Sequence, residues 1–314
     1  MADMSTRILF MGTPDFAVPS LNILHQTYGL IGVVTQPDRR SGRGRSFSYP
    51  PVKEAALDLG LPVLQPATLT SLAASSTLDE LKPDLIVVAA FGQILPDPIL
   101  ALPEHGCLNV HASLLPRWRG ASPINAAVLH GDRVTGVSIM KMDRGLDTGP
   151  ILSQRTTPIQ EDDTAGKVFG RLAVMGAELL VETIGPHLSG ELQPRPQDDD
   201  QATYAPLLTR EDGELEFQSN AEKLERQIRA YHPWPGSFTF FNGQRLIVHQ
   251  ARAVSETSPG VGVLTDYRDQ PAVGTGKGIL VLEKVQPAGK RPMSGSAYLR
   301  GNQDWTAGEI GRSI

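Results

Sequence analysis

The sequence predicts an α/β protein: a doubly wound, mostly parallel sheet followed by a smaller all-β domain. Two observations predict the first part. Residues 7–12, 31–35 and 85–90 contain continuous apolar runs instead of alternating ones, the pattern of strands covered by helices on both faces. Helical patterns such as residues 52–59 lie between them, and this strand–helix alternation marks a Rossmann-like sheet. The second part is predicted by a change of texture beyond Gly185, where short apolar runs separated by Gly-containing turns take over.

Residues 7–11 read as a buried strand running into Gly12, with a helix over 16–25 behind Asp15. Residues 31–35 are a second strand, 85–90 the clearest, and 107–110 and 136–140 supply two more. A long helix is expected over 164–184. The stretch 193–200 (Gln-Pro-Arg-Pro-Gln-Asp-Asp-Asp) is polar and Pro-containing, which suits a linker. Residues 221–230 read as a short helix ended by the Pro-rich 232–235. The runs 238–241 and 246–249 flank Asn242-Gly243, a pair that readily takes the positive φ angles of a tight hairpin turn. Strands near 262–264, 272–274 and 278–282 complete the tail, for which a small, OB-like barrel is expected. The division expected is 1–188 catalytic, 189–207 linker and 208–314 tail domain.

With 314 residues, 40% apolar and 20% charged, the chain can build a real core and is not a disordered one. The longest apolar stretch is broken at Gly92 and Gln93, far short of the roughly 20 residues of a membrane span. The start lacks the apolar stretch of a secretory signal, so a soluble, cytoplasmic protein is expected. A single cysteine, Cys107, excludes an internal disulfide and a cysteine-based zinc site. The net charge of -5 weighs against a nucleic-acid partner but hides an asymmetry. Residues 223–314 carry 12 Lys+Arg against 7 Asp+Glu, a balance of +5, leaving 17 against 27, or -10, elsewhere. A basic tail on an acidic body can recruit a polyanion; uneven surface charge without a partner is the alternative.

Gly42-Arg43-Gly44 precedes no helix, Gly274-Thr275-Gly276-Lys277-Gly278 lacks the spacing of a phosphate loop, and the first turn, Gly12-Thr13-Pro14-Asp15, lacks a second glycine. A nicotinamide dehydrogenase is therefore disfavoured. The stretch from Asn109 to Gly120 carries more. Asn109 and His111 stand two apart at the end of an expected strand, so both side chains point to one face. An amide and an imidazole there are two donors suited to a developing oxyanion; ordinary strand-end capping is the alternative. Asp147, bracketed by Gly145 and Gly149, could orient an imidazole or take a proton, or be a turn residue.

These stretches, with Gln36-Pro37-Asp38-Arg39, Arg229-Ala230-Tyr231-His232-Pro233-Trp234-Pro235 and Gln286-Pro287-Ala288-Gly289-Lys290, closely resemble the methionyl-tRNA formyltransferases, in order and over nearly the whole chain. Asn, His and Asp identify only the wider formyltetrahydrofolate-dependent superfamily; the basic loop and the tail make the resemblance tRNA-specific. The resemblance implies a 10-formyltetrahydrofolate donor and, as acceptor, the α-amine of methionine on initiator tRNA, the product being N-formylmethionyl-tRNA for translation initiation. It implies Asn109, His111 and Asp147 as the catalytic residues. Asn109 and His111 would donate to the oxyanion, and Asp147 would orient His111 and help deprotonate the amine. Which of the pair moves which proton stays open. Ser113, Leu114, Leu115 and Pro116 would border the folate. No metal is required, and a monomer is expected.

Arg39, Arg40, Arg43 and Arg45 stand among glycines in one loop. They are expected to order against tRNA phosphates, with a solvated surface loop as the alternative. Beyond Arg45 the residues are Ser46-Phe47-Ser48-Tyr49 where relatives often carry lysines; the aromatics could stack on bases instead. Trp118 is expected to be structural. The competing functions are formyl transfer to another amine, such as an amino sugar nucleotide, and RNA binding on an inactive scaffold.

Overall fold

The computed structural model describes residues 6–41 and 46–311. They form two compact units, each assembled from separate pieces of chain. The first takes in the chain as far as Pro123, then Val134–Thr157 and Phe169–Ala205; the second takes in Ile124–Arg133, Pro158–Val168 and everything from Pro206.

In chain order come β1 (Ile8–Gly12), α1 (Val18–Thr27), β2 (Gly32–Val34), β3 (Arg39–Ser41), β4 (Ser46–Ser48), α2 (Pro51–Asp58), β5 (Val63–Leu64) and α3 (Leu72–Glu80). Next come β6 (Leu85–Ala89), α4 (Asp97–Leu100), β7 (Cys107–His111), β8 (Arg119–Gly120), α5 (Pro123–His130), β9 (Val134–Lys141), β10 (Ile151–Pro158), α6 (Ala165–Leu188) and β11 (Tyr204–Ala205). Seven strands make the main sheet in the order β10-β9-β7-β6-β1-β2-β5. From β7 to β5 all pairings are parallel, as the continuous apolar runs predict. Every residue of β1, β6 and β7 is buried. The chain leaves β1 toward β2 and β5, then returns to the other side of β1 for β6 and β7. The ends of β1 and β6 therefore border a topological switch, where open α/β sheets hold ligands.

Local chemistry sets the helix starts. Pro51 opens α2, where a missing N–H costs nothing, and the Ser71 side chain accepts from Ala74 N at the start of α3 (3.2 Å). The helix expected over 16–25 begins instead as a 3-10 turn, Asp15–Ala17, before α1. Gly176 lets α6 lie against the sheet, since a Cβ there would stand 2.8 Å from Val110. Val110 thus faces α6, and alternation sends Asn109 and His111 to the opposite face.

The second unit continues with α7 (Ala221–Ala230), β12 (Ser237–Phe241), β13 (Gln244–Val254), β14 (Leu264–Asp266), β15 (Pro271–Gly274), β16 (Ile279–Pro287), β17 (Met293–Ser294) and α8 (Gly295–Arg300). Its antiparallel sheet runs β12-β13-β16-β15-β14, with β17 on β16. The Asn-Gly hairpin forms as expected: Phe241 pairs with Gln244, and Asn242 and Gly243 take φ 48° and 73°. The strand expected at 262–264 begins only at Leu264, because Gly260 and Gly262 turn through positive φ. Trp305, Phe241 and Tyr298 anchor the core, with Trp305 and Phe241 ring centroids 4.9 Å apart. The Trp305 indole donates to the Thr265 carbonyl (2.9 Å).

The stretch expected as a linker is built into the first unit as far as Ala205. Arg195 and Ile151 exchange backbone hydrogen bonds of 2.8 Å, and β11 pairs in parallel with β8. Its prolines and charges left side chains for solvent while its backbone was free to pair, which composition does not reveal.

Candidate active site

The site is built on β7. Asn109 and His111 leave the same face of that strand, at 9% and 6% exposure. β9 runs antiparallel to β7, with Lys141 opposite Leu108. The loop after β9 therefore starts at the foot of β7 and returns along the strand to reach the end carrying His111. Its base is closed by Lys141 N donating to Pro150 O (2.9 Å). Gly149 has no room for a side chain, since a Cβ there would overlap the Lys141 carbonyl. Asp143 braces the loop from within, accepting from Gly145 N (3.0 Å) and the Thr148 hydroxyl (2.6 Å).

At its top Asp147 takes φ 54°, a conformation in which Asp is among the better-tolerated non-glycine residues. Its carboxylate lies between the two strand residues, Oδ1 3.4 Å from Asn109 Nδ2 and Oδ2 3.6 Å from His111 Nδ1. Gly120 N donates to Oδ2 at 2.8 Å. The structure thus brings the three expected residues together.

It also shows which ring nitrogen of His111 is engaged. His111 Nε2 lies 3.0 Å from the Trp118 carbonyl. A carbonyl only accepts, so Nε2 carries the proton of that bond and is not free to donate to an oxyanion. The nitrogen left for chemistry is Nδ1, facing Asp147. Trp118, expected to be purely structural, holds this orientation through its backbone, at φ 59° and 7% exposure.

The expected folate-bordering stretch lies in the loop leaving β7, across a cis Leu115-Pro116 bond. Its polar atoms are spent internally. The Ser113 hydroxyl donates to Arg117 O (2.6 Å), Leu115 N donates to the Ser138 hydroxyl (3.0 Å), and Leu115 O accepts from Gln154 (3.0 Å). Leu115 packs with Met140 and Ile151, while Leu114 and Pro116 are half-buried. The stretch therefore offers apolar surface and few free hydrogen-bonding groups.

A pocket of about 440 Å³ opens at the topological switch. Thr13, Pro14, Gln36, Pro37, Phe91 and Gly92 line it, with Arg39 and Tyr49 also on its wall. Gln36 and Thr13 both donate to the Phe91 carbonyl (3.3 and 2.8 Å), tying the ends of β1, β2 and β6 together. Nearby, Asp38 is held below the usual carboxylate range by hydrogen bonds from Gln65 and Lys53. Of the four arginines expected to meet tRNA, Arg39 is exposed on β3, Arg40 lies on the same strand, and Arg43 and Arg45 lie outside the described residues. β3 and β4 pair as a hairpin, Arg39 opposite Ser48, so the two bases of that loop are paired. Among the described residues no cluster of His, Cys, Asp or Glu could hold a metal, and no helix is long and apolar enough to cross a membrane.

The formyl transferase family matches residues 6–184, and the formyl transferase C-terminal domain matches 207–303. The methionyl-tRNA formyltransferase of Myxococcus xanthus (strain DK1622) is 47% identical over 297 residues, 95% of either chain. That of Roseiflexus sp. (strain RS-1) is 47% identical over 302 residues, 95% of this chain and 93% of its own. Two solved structures share the fold. The sugar 3N-formyl transferase WlaRD has a TM-score of 0.66 at 18% identity, covering 91% of this chain and 99% of its own. The N-formyltransferase of Helicobacter canadensis has a TM-score of 0.67 at 18% identity, covering 88% and 99%. Identity of this level along nearly the whole length shows that the chain belongs to the methionyl-tRNA formyltransferase family.

Proposed function

We propose that this enzyme transfers the formyl group of 10-formyltetrahydrofolate to the α-amine of methionine carried by initiator tRNA. The observation that carries the reading is the convergence of Asn109 and His111 on the Asp147 carboxylate, in a chain of this family. The folate, when bound, supplies an electrophilic formyl carbon. Leu114 and Pro116 suit a planar ring because the polar atoms of their loop are already satisfied and apolar surface remains; buried Leu115 and Ser113 hold that loop in shape.

The chain's own residues divide the work. The Asn109 amide donates to the oxygen that gains charge as the amine attacks. Asp147 and His111 Nδ1 form one proton-holding unit that takes the proton of the attacking amine and returns one to the leaving nitrogen. Trp118 O, by occupying Nε2, fixes which imidazole nitrogen takes part.

The pocket at the switch falls within the roughly 300–1,000 Å³ of small-ligand sites, and with Arg39 and Tyr49 on its wall we assign it to the acceptor's aminoacylated end. Arg39, Arg40, Arg43 and Arg45 hold backbone phosphates, and residues 208–314, whose part from Lys223 onward carries the +5 balance, hold more of the tRNA. We place the catalytic work within residues 1–188, in a cytoplasmic monomer.

The test is incubation of the purified chain with 10-formyltetrahydrofolate and charged initiator tRNA, scoring N-formylmethionine. A thymidine-diphosphate amino sugar serves as the competing acceptor. Formylation of the sugar nucleotide and not of the methionyl ester would overturn the reading.

A further inference from the structure

We infer that Gln197 is a positioning residue for the reaction, gripping the Asp147 loop from the segment beyond α6. Its Nε2 donates to the carbonyls of Asp147 (2.8 Å) and Gly149 (2.7 Å). Its Oε1 accepts from Arg119 Nε at 3.0 Å. The amide cannot be turned over, because Arg119 offers only donors and the two carbonyls only acceptors. Arg119 is fixed in turn: it is 1% exposed, and its Nη2 donates to Asp199 Oδ1 at 2.7 Å. Gln197 is half-buried in a run whose neighbours on both sides are exposed, so its side chain alone in that run turns inward.

The arrangement clamps Asp147 from both ends of one dipeptide. Arg119 orients Gln197 on the loop's backbone, and Gly120 N donates to the Asp147 carboxylate itself (2.8 Å). Backbone pairing holds this dipeptide: Arg119 N donates to Thr203 O (2.8 Å), and Ala121 N to Ala205 O (2.9 Å). Asp147 sits at φ 54°, a conformation that persists only where the surroundings over-determine it. The two carbonyls held by Gln197 are that residue's own and the one two residues on, so the amide grips the loop from Asp147 to Gly149. Without the amide the loop can relax, and the carboxylate moves away from Asn109 and His111 while remaining chemically intact.

The inference rests on the reading that Asp147 acts in formyl transfer, and the experiment separates the two. Full-length Gln197→Met, Gln197→Glu, Asp147→Asn and the Asp147→Asn/Gln197→Met double variant are compared with wild type. Gln197→Met is expected to lower kcat about 10²-fold, the cost of a displacement of about 1 Å at a reacting group, with both KM values within about twofold. Combined with Asp147→Asn it should add little, because both changes act through one carboxylate. Exchange of the Gly120 amide should accelerate, a readout independent of turnover. Gln197→Glu keeps an acceptor for Arg119 but sets a carboxylate against two carbonyls, so it should lose kcat as severely with its melting temperature little changed. It decides the matter if Gln197→Met does not fold. The inference is overturned if either Gln197 variant keeps kcat within about threefold of wild type while Asp147→Asn is crippled, or if losses multiply fully in the double variant. An active Asp147→Asn would instead overturn the role of Asp147 and this inference with it.

Discussion

Replacing Asp147 with Asn removes a negative charge while keeping the side chain's shape. The backbone tolerates it, because Asn shares the ability of Asp to hold φ 54°; Ala would confound lost charge with backbone strain. Gly120 N keeps an acceptor in the amide oxygen. What disappears is the attraction between the carboxylate and a proton on His111 Nδ1, 3.6 Å away. At an effective dielectric of about 20, a charge pair at that distance is worth about 4–5 kcal/mol. At about 1.4 kcal/mol per tenfold, that is about three decades in rate if the full interaction is present only in the transition state. Both side chains are at most 14% exposed, so screening by salt is weak. The assay is single-turnover formylation at saturating donor and methionyl-tRNA, by rapid quench. A loss near 10³-fold with unchanged saturation behaviour is expected. A loss below about tenfold, or one confined to KM, would refute a charge-based role and leave Asp147 a turn residue.

Three further outcomes are expected. Asn109→Ala should lower kcat by roughly 10²–10³-fold, the usual worth of one oxyanion donor, with folate affinity measured by calorimetry unchanged. Burial pushes the Cys107 thiol up to about 12 from 9.0; above about pH 9 the unfolded chain loses a proton that the native chain keeps, so stability falls by about 1.4 kcal/mol per pH unit up to about pH 12. Buried tyrosines such as Tyr298, also pushed up to about 12, add to the slope of both proteins, so denaturant titrations from pH 8.5 upward should show wild type steeper than Cys107→Ala by that amount; equal slopes would contradict it. Gly149→Ala should force the loop off Lys141, costing about 1–3 kcal/mol by overpacking and lowering both melting temperature and kcat.

Much of this was legible in the sequence because it depended on period and local chemistry. The buried runs of β1 and β6, the Asn242-Gly243 turn and the shared face of Asn109 and His111 all follow from rules acting over a few residues. The meeting of Asp147 with that face does not, since it depends on β9 pairing antiparallel to β7, a long-range choice that local pattern does not encode. Backbone groups were equally invisible: Trp118 O and Gly120 N act through atoms every residue has. Arg119 is among the largest fully buried side chains, which local pattern does not show, because its partners Gln197 and Asp199 come from a run that reads as solvent-facing. The one available signal was Gln197 itself, an uncharged polar residue amid prolines and aspartates.

The discontinuous make-up of the second unit has a consequence for synthesis on the ribosome. α5 belongs with chain made much later: Asn125 donates to the Ala230 carbonyl, 105 residues downstream, and Leu129 O accepts from Arg226, 97 downstream. At about 5–20 residues per second, α5 waits roughly 5–20 s for these partners. The strands of the parallel sheet are all complete before then, so the nascent chain carries a finished sheet while these partners of α5 do not yet exist. Chains released early, short of Ala230, would leave α5 without these partners and the second unit unfinished, and should be the aggregating species in an expression lysate. A translational pause between residues 168 and 206 would lengthen the exposure, whereas one before residue 124 would not.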